Sequence, residues 1–300
     1  MNIKNLYRPE YVYQPSLILR RLQRALLEQD QEQTVNLPWG LPIRIDTHET
    51  VGTLIWCYGL IDLVVAESIF RLVDRNECAI DVGANIGQMT SLMALRAGPT
   101  GHVIALEAHP QIYDELLTNS QAWSKHRQTA CIETIHAAAT DINGGTILLS
   151  EGENWINNKG TASIHNNTQQ PNTNVHEVRA TSIDELIGNN AIHYLKLDVE
   201  GHEESVLKGA SKLLQSGRLR DIVFEEHDFH VSAVPRILQK AGYELFSLHS
   251  SILKPLLINA TDRKPHKVQD GANYLATLDP DRAIHRFMHK GWNCLGRRSD

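Results

Sequence analysis

Between residues 78 and 278 the chain alternates short apolar runs with amphipathic stretches. This rhythm constrains the fold more than any other feature of its 300 residues. The runs fall at 78–82, 102–106, 131–137, 192–197, 221–225, 243–248 and 273–278. Helical spacing fills several gaps, at 86–97, 111–123, 203–214 and 233–241. Strands this short and this continuously apolar are buried on both faces, as happens when helices cover both sides of a parallel sheet. Gly217 and Gly242 stand where left-handed residues end helices, and Ser182-Ile-Asp-Glu185 has the spacing of a capping box. The expectation is an α/β domain over residues 76–279, on a doubly wound, mostly parallel sheet of seven strands.

Residues 1–75 read as an N-terminal appendage of helices and short strands packed on that domain, and 280–300 as a helical tail. Ser16 can cap a helix that places Ile18, Leu22, Ala25 and Leu26 on one face. Leu54, Tyr58, Ile61, Val65 and Ile69 also recur at helical spacing. The Asn-, Thr- and Gly-rich stretch 151–176 reads as a surface excursion, and 249–272 as another. The most apolar stretch, 53–70, is interrupted by Asp62 and Glu67, so no membrane span is expected. The N-terminus lacks the apolar run of a signal peptide, and a cytoplasmic location is expected. Cys57, Cys78, Cys131 and Cys294 form no CxxC pair, which argues against a zinc knuckle or a disulfide framework. A formal net charge of -6 argues against a nucleic-acid partner.

The strongest local motif is Ala79-Ile-Asp81-Val-Gly83-Ala-Asn85-Ile-Gly87, a strand running into a glycine turn and a helix. Gly83 can bring backbone close to a ligand, Asn85 tolerates positive φ, and Gly87 lets the helix start near the sheet. About twenty residues on, Glu107 ends the second run, where a carboxylate can take both hydroxyls of an adenosine ribose. The dinucleotide pattern G-x-G-x-x-G fails, because Asn85 and Gln88 replace its second and third glycines. A carboxylate at Asp81 instead suits the cationic amino-acid end of S-adenosylmethionine.

These residues resemble the FkbM family of S-adenosylmethionine-dependent methyltransferases. The resemblance rests on Asp81-Val-Gly-Ala-Asn-Ile-Gly87, Ala105-Leu-Glu107-Ala-His-Pro110 and Leu195-Lys-Leu-Asp-Val-Glu-Gly201-His-Glu203. It continues through Val206-Leu-Lys-Gly209-Ala, Val223-Phe-Glu-Glu-His227, Gly242-Tyr243 and Asn273-Tyr-Leu-Ala276. The Leu-Lys-x-Asp-Val-Glu-Gly run is its most specific part. Ala108 departs from it, since the family more often carries Glu-Pro there. The resemblance implies a Rossmann-like class I methyltransferase fold and methylation of a hydroxyl on a sugar, glycan or natural-product small molecule. It also implies S-adenosylmethionine held by Asp81, Gly83, Asn85, Gly87, Glu107 and Asp198.

Ligands of such sheets sit at the carboxyl ends of the strands. Asp198, Glu200 and His202 follow the run 192–197, and Glu226, His227, Asp228 and His230 follow 221–225. Methyl transfer to a hydroxyl requires alignment of the oxygen and removal of its proton, for which Asp, Glu and His are suited. His227 is the expected proton acceptor, with Asp198 orienting the oxygen or cofactor and Glu200 as a third catalytic candidate. Asp198 and Glu200 could equally balance the N-terminus of the helix from Glu203, and Lys196 could form an ion pair with Asp198. A metal held by Asp198, Glu226 and His227 is chemically possible but is not the expectation, and His285 with His289 reads as an exposed helix face. The segment from Trp155 to His165 is expected on the acceptor side. Two other functions stay open, a nicotinamide-dependent oxidoreductase and a non-catalytic S-adenosylmethionine-binding protein. An RNA methyltransferase is disfavoured by charge.

Overall fold

The computed structural model describes residues 8–26, 31–152, 155, 163–164, 174–260 and 272–296. Two helices, α1 (Pro9–Tyr13) and α2 (Ser16–Leu26), precede an antiparallel pair, β1 (Glu32–Asn36) and β2 (Pro42–Asp46). Helices α3 (Thr50–Tyr58) and α4 (Leu63–Leu72) follow. The chain then enters its main sheet through β3 (Cys78–Val82), α5 (Gln88–Ala97), β4 (His102–Glu107), α6 (Pro110–Trp123) and β5 (Cys131–His136). Four strands form a smaller sheet: β6 (Ala138–Ala139), β7 (Thr146–Ser150), β8 (Ser163–Ile164) and β9 (Val175–Thr181). The main sheet resumes with α7 (Ile183–Ile187), β10 (Ile192–Leu197), α8 (Glu203–Gly209), α9 (Ser211–Gln215), β11 (Leu219–Glu225) and α10 (Val234–Lys240). It ends with β12 (Glu244–Ser250), β13 (Pro255–Asn259), β14 (Asn273–Thr277) and α11 (Pro280–Met288).

The main sheet has the order β13-β12-β14-β11-β10-β3-β4-β5. Its five strands from β11 to β5 are parallel, while β14, β12 and β13 add antiparallel pairs at one edge. All seven expected runs are strands of this Rossmann-like sheet. The eighth, β13, lies inside the stretch expected to be an excursion. It begins at Pro255 and pairs only with β12, the edge position where a strand tolerates a missing backbone donor. Part of the other excursion is also strand: β7 and β9 pair antiparallel, with Leu149 opposite His176. The helix expected over 203–214 is broken at Ala210. A Cβ on Gly209 would lie 2.0 Å from the Thr140 carbonyl oxygen, so α8 ends in close backbone contact with the small sheet. The Asp184 carboxylate then accepts from the backbone amides of Lys212 and Leu213 and starts α9 afresh.

Alternation along the central strands sends neighbouring side chains to opposite cores. Ala79, Tyr194 and Val223 join one face with Ile69 and Leu72 of α4, Leu92 and Met93 of α5, and Phe287 of α11. Ile80, Leu195 and Ile222 join the other with Val206, Leu213 and Leu238. One covering helix therefore comes from the N-terminal segment, and the Ser68 and Tyr194 hydroxyls, 2.7 Å apart in the core, tie α4 to β10. Arg282 and Arg286 of α11 both pair with Asp74, which fastens the C-terminal helix beside the end of α4. Among the described residues no single helix is long and apolar enough to cross a membrane. The bent pair α3 and α4 would pass together by length and composition.

Candidate active site

β3 lies where the strand order reverses: the chain steps outward through β4 and β5, then returns to β10 on the other side. Loops leaving β3 and β10 diverge at that point and open a crevice at the carboxyl ends of the strands. A cavity of about 280 Å³ occupies the crevice. Its floor and one side come from Val82 to Ile86, Glu107, Ala108, Asp198 to Glu200 and Glu225. The opposite wall comes from Val51, Leu54, Ile61 and Asp62.

Backbone conformation marks this cavity independently. Four described non-glycine residues have positive φ, namely Asp62, Asn76, Asn85 and Glu200, and three of them line it. Such conformations cost on the order of 1–3 kcal/mol each, so their concentration here is a sign of function. Gly83 also has positive φ, and a Cβ there would sit 1.8 Å from the Asp198 carbonyl oxygen. The two loops meet this closely only because residue 83 is glycine.

Glu107 is held at one end. Its carboxylate accepts from the backbone amides of Asn85 at 2.9 Å and His109 at 2.8 Å, and it is 8% exposed. Burial raises its pKa, against those bonds and the Lys196 charge, which lower it. Lys196 is buried beneath the turn. Its ammonium donates to the Gly83 carbonyl at 3.0 Å and lies 3.3 Å from both Asp81 and Asp198. Burial opposes its charge, but the Asp198 and Asp81 carboxylates outweigh that and raise its pKa.

Asp62, Asp198, Glu200 and Glu225 gather at the other end. Asp62 is exposed to solvent where it lines the cavity, while protein surrounds it at longer range. Burial first, then the charges of Asp198 and Glu225, push its pKa up to about 6. Glu200 is raised by burial, then by Asp198 and Glu203, and Glu225 by burial and then by Asp198.

Of the expected site residues, Gly83, Asn85, Glu107, Asp198 and Glu200 line the cavity, and Asp81, Gly87 and His227 do not. Asp81 is fully buried. It pairs in register with Lys196 and accepts from Thr90 Oγ1 at 2.6 Å, so it stands behind the turn rather than in the crevice. Gly87 acts by packing: a Cβ there would press within 2.8 Å of Leu116 and Trp123 of α6. The His227 side chain is 79% exposed and lies 3.3 Å from Glu225; the Glu226 amide still bonds the Ala272 carbonyl beyond the end of β11, and the chain turns away from the sheet after it.

A sequence profile described as the methyltransferase FkbM domain matches residues 81–245, more than half of the chain. The chain belongs to the FkbM methyltransferase family. A relative, the hexuronic acid methyltransferase AglP of Haloferax volcanii, is 27% identical over 167 residues, which are 52% of this chain and 60% of that protein. The FkbM methyltransferase structure from Methylobacillus flagellatus aligns with TM-score 0.41 and 18% identity, covering 67% of this chain and 43% of that one. Fibrillarin from Aeropyrum pernix, solved with S-adenosyl-L-methionine, aligns with TM-score 0.38 and 17% identity, covering 71% and 74%. The chain thus spans less than two thirds of AglP and of the Methylobacillus flagellatus protein.

Two acidic cavity residues escaped sequence reasoning. Asp62 read as an interruption of an apolar stretch, and Glu225 as the last residue of a strand. The signal for Asp62 was present: a lone carboxylate between two apolar helical stretches has either a partner or a cavity to face. Only part of the segment expected on the acceptor side, from Trp155 to His165, falls within the described residues. Trp155 is buried against His109 and away from the cavity, while residues 156–162 and 165 lie outside the described residues. Among the described residues, α3 and the α3–α4 junction contribute Val51, Leu54, Ile61 and Asp62 to the cavity wall.

Proposed function

We propose that this methyltransferase uses S-adenosylmethionine and transfers its methyl group to a hydroxyl of a sugar-like small molecule. The observation that carries the reading is the charge of the cavity wall. Among the described residues, Asp62, Glu107, Asp198, Glu200 and Glu225 face it, against the single cation Lys196. That surplus suits a sulfonium and an ammonium, and it repels the diphosphate of a nicotinamide dinucleotide. The sugar-like acceptor is suggested by the hexuronic acid methyltransferase relative.

The residues fit the cofactor. Glu107, fixed by two backbone amides, presents its carboxylate to the ribose hydroxyls. Gly83 and Asn85 let backbone approach without a side chain in the way. Asp198 holds the ammonium end, and Lys196 ties Asp198 to Asp81 and to the Gly83 turn. When bound, S-adenosylmethionine supplies an electrophilic methyl group whose leaving group needs no acid. The protein's remaining task is to orient the acceptor oxygen and take its proton. Asp62 is assigned that proton in place of His227, since it faces the cavity with a pKa of about 6, close to the ideal for a base at neutral pH. The charges of Asp198 and Glu225 help to keep it raised, and Glu200 and Glu225 bind other hydroxyls of the acceptor.

Calorimetry with S-adenosylhomocysteine, followed by transfer of labelled methyl to a panel of uronic acid and neutral sugar glycosides, tests this directly. Saturable binding with methyl ether formation is expected. Binding of reduced nicotinamide in preference to S-adenosylhomocysteine would overturn the cofactor assignment.

A further inference from the structure

We propose that His109, Glu151 and His176 form a site for one divalent cation of the zinc type, separate from the cavity and independent of the methyl-transfer reading. Three distant parts of the chain meet there. His109 lies in the β4–α6 connection, Glu151 directly follows β7, and His176 is the second residue of β9. One ligand atom from each lies within 4.8 Å of the others. Both imidazole Nε2 atoms face the same oxygen, Glu151 Oε1, at 3.4 Å for His109 and 2.8 Å for His176.

The donor set selects the ion. Two imidazoles and a carboxylate match zinc, whereas calcium and magnesium prefer oxygen ligands alone. Tetrahedral zinc with bonds near 2.0–2.1 Å has ligand-to-ligand edges of about 3.3 Å. The His109 edge already has that length, and the His176 edge needs to open by roughly half an ångström to reach it. The surroundings also suit ligation. Glu151 Oε2 accepts from Asn174 Nδ2 at 2.9 Å, which orients the carboxylate and leaves Oε1 for the ion. Trp155 packs on the His109 ring, with centroids 4.0 Å apart, and fixes its plane. His109 and Glu151 are buried, whereas the His176 side chain is 26% exposed and leaves a path for the ion and a water as fourth ligand. Bound there, the cation cross-links the small sheet to the loop that also carries the His109 amide holding Glu107.

Chelator-stripped protein titrated with Zn²⁺ alone, by calorimetry and by thermal unfolding, is the test. A single equivalent should bind, raise the unfolding midpoint, and lose both effects on adding EDTA; Co²⁺ should give the visible absorption of a four-coordinate site. His176→Gln keeps a group able to hydrogen-bond Glu151 at a partly exposed position, and it should abolish the equivalent and the zinc-dependent shift. Asn174→Ala leaves all three ligands and should weaken binding by roughly 10–100-fold. His285→Ala, on the remote C-terminal helix, should change nothing. Absence of saturable binding in the parent, or undiminished binding in folded His176→Gln, would show a hydrogen-bonded cluster with no metal role and overturn the proposal.

Discussion

The two ends of the cavity solve opposite problems with the same chemical group. At one end a single carboxylate, Glu107, has both oxygens tied to backbone amides and is held in one orientation. At the other, Asp62, Asp198, Glu200 and Glu225 face one another, and mutual repulsion with burial raises the pKa of Asp62, Glu200 and Glu225. The first arrangement recognises a fixed pair of hydroxyls. The second keeps a carboxylate close to protonation, which a group must be if it is to accept and return a proton near neutral pH. Backbone strain is found at both ends: Asp62 and Glu200 have positive φ at the crowded one, and Asn85, whose amide binds Glu107, has it at the other.

The sharpest break in this comparison is Asp62→Asn. Removing a positioned base slows a reaction by about a hundred- to ten-thousand-fold. We expect that loss in kcat, with S-adenosylhomocysteine affinity and KM for the acceptor little changed. Single-turnover kinetics with isothermal calorimetry measures both. If the variant turns over within about threefold of the parent, far short of a lost base, the crowded end is not where the proton goes.

Glu107→Ala should do the reverse. Two hydrogen bonds to a charged group at about 1.5 kcal/mol each correspond to roughly a hundredfold in affinity. S-adenosylhomocysteine binding should weaken by that order, while turnover at saturating S-adenosylmethionine falls far less. Normal affinity would move the ribose away from β4.

The unequal legibility of the two ends has a physical reason. Glu107, Gly83, Asn85 and Asp198 follow strands whose apolar runs are plain in the sequence, so strand direction alone delivers them to one edge of the sheet. Asp62 reaches the crevice only because α4 packs on the sheet face through Ile69 and Leu72, a tertiary contact that no local pattern encodes. Asp81 illustrates the converse. Its position before the turn is legible, but its cross-strand pairing with Lys196 depends on β10, which arrives more than a hundred residues later. Chain departure after β11 likewise decides that Glu225 lines the cavity and His227 does not. The β13 edge strand was hidden by its opening proline, and α9 by a helical spacing that continues across the break at Ala210.

His227 sharpens the distinction between touching the acceptor and supporting a group that does. Exposed and 3.3 Å from Glu225, it influences the crowded end through its charge interaction with Glu225 and Glu200 rather than by lining the cavity. His227→Ala should therefore change kcat by less than about tenfold, well under the loss of a direct base. A loss of kcat as large as that of Asp62→Asn would return the proton to His227.

The smallest effect expected is on stability, and its sign separates the two ends. A free aspartate titrates at 3.8 and folded Asp62 at about 6, so between those values the folded protein holds more protons than the unfolded chain. Stability then falls as pH rises through that window, because ionising Asp62 is harder in the fold than out of it. Above about pH 6 the cost is fully present, and below the ordinary value it vanishes. Raised Glu107, Glu200 and Glu225 slope the same way, so the parent profile alone cannot isolate Asp62. The difference between Asp62→Asn and the parent can. The variant lacks the charge, so its unfolding midpoint should exceed the parent's at pH 7 by on the order of a degree or two, and the excess should fade by pH 4. Asp62 is exposed, and solvent screening of an exposed group keeps the midpoint difference small. A midpoint difference independent of pH between 4 and 7 would mean that Asp62 ionises as it does in the unfolded chain, and the crowded end would then lose its claim to the proton.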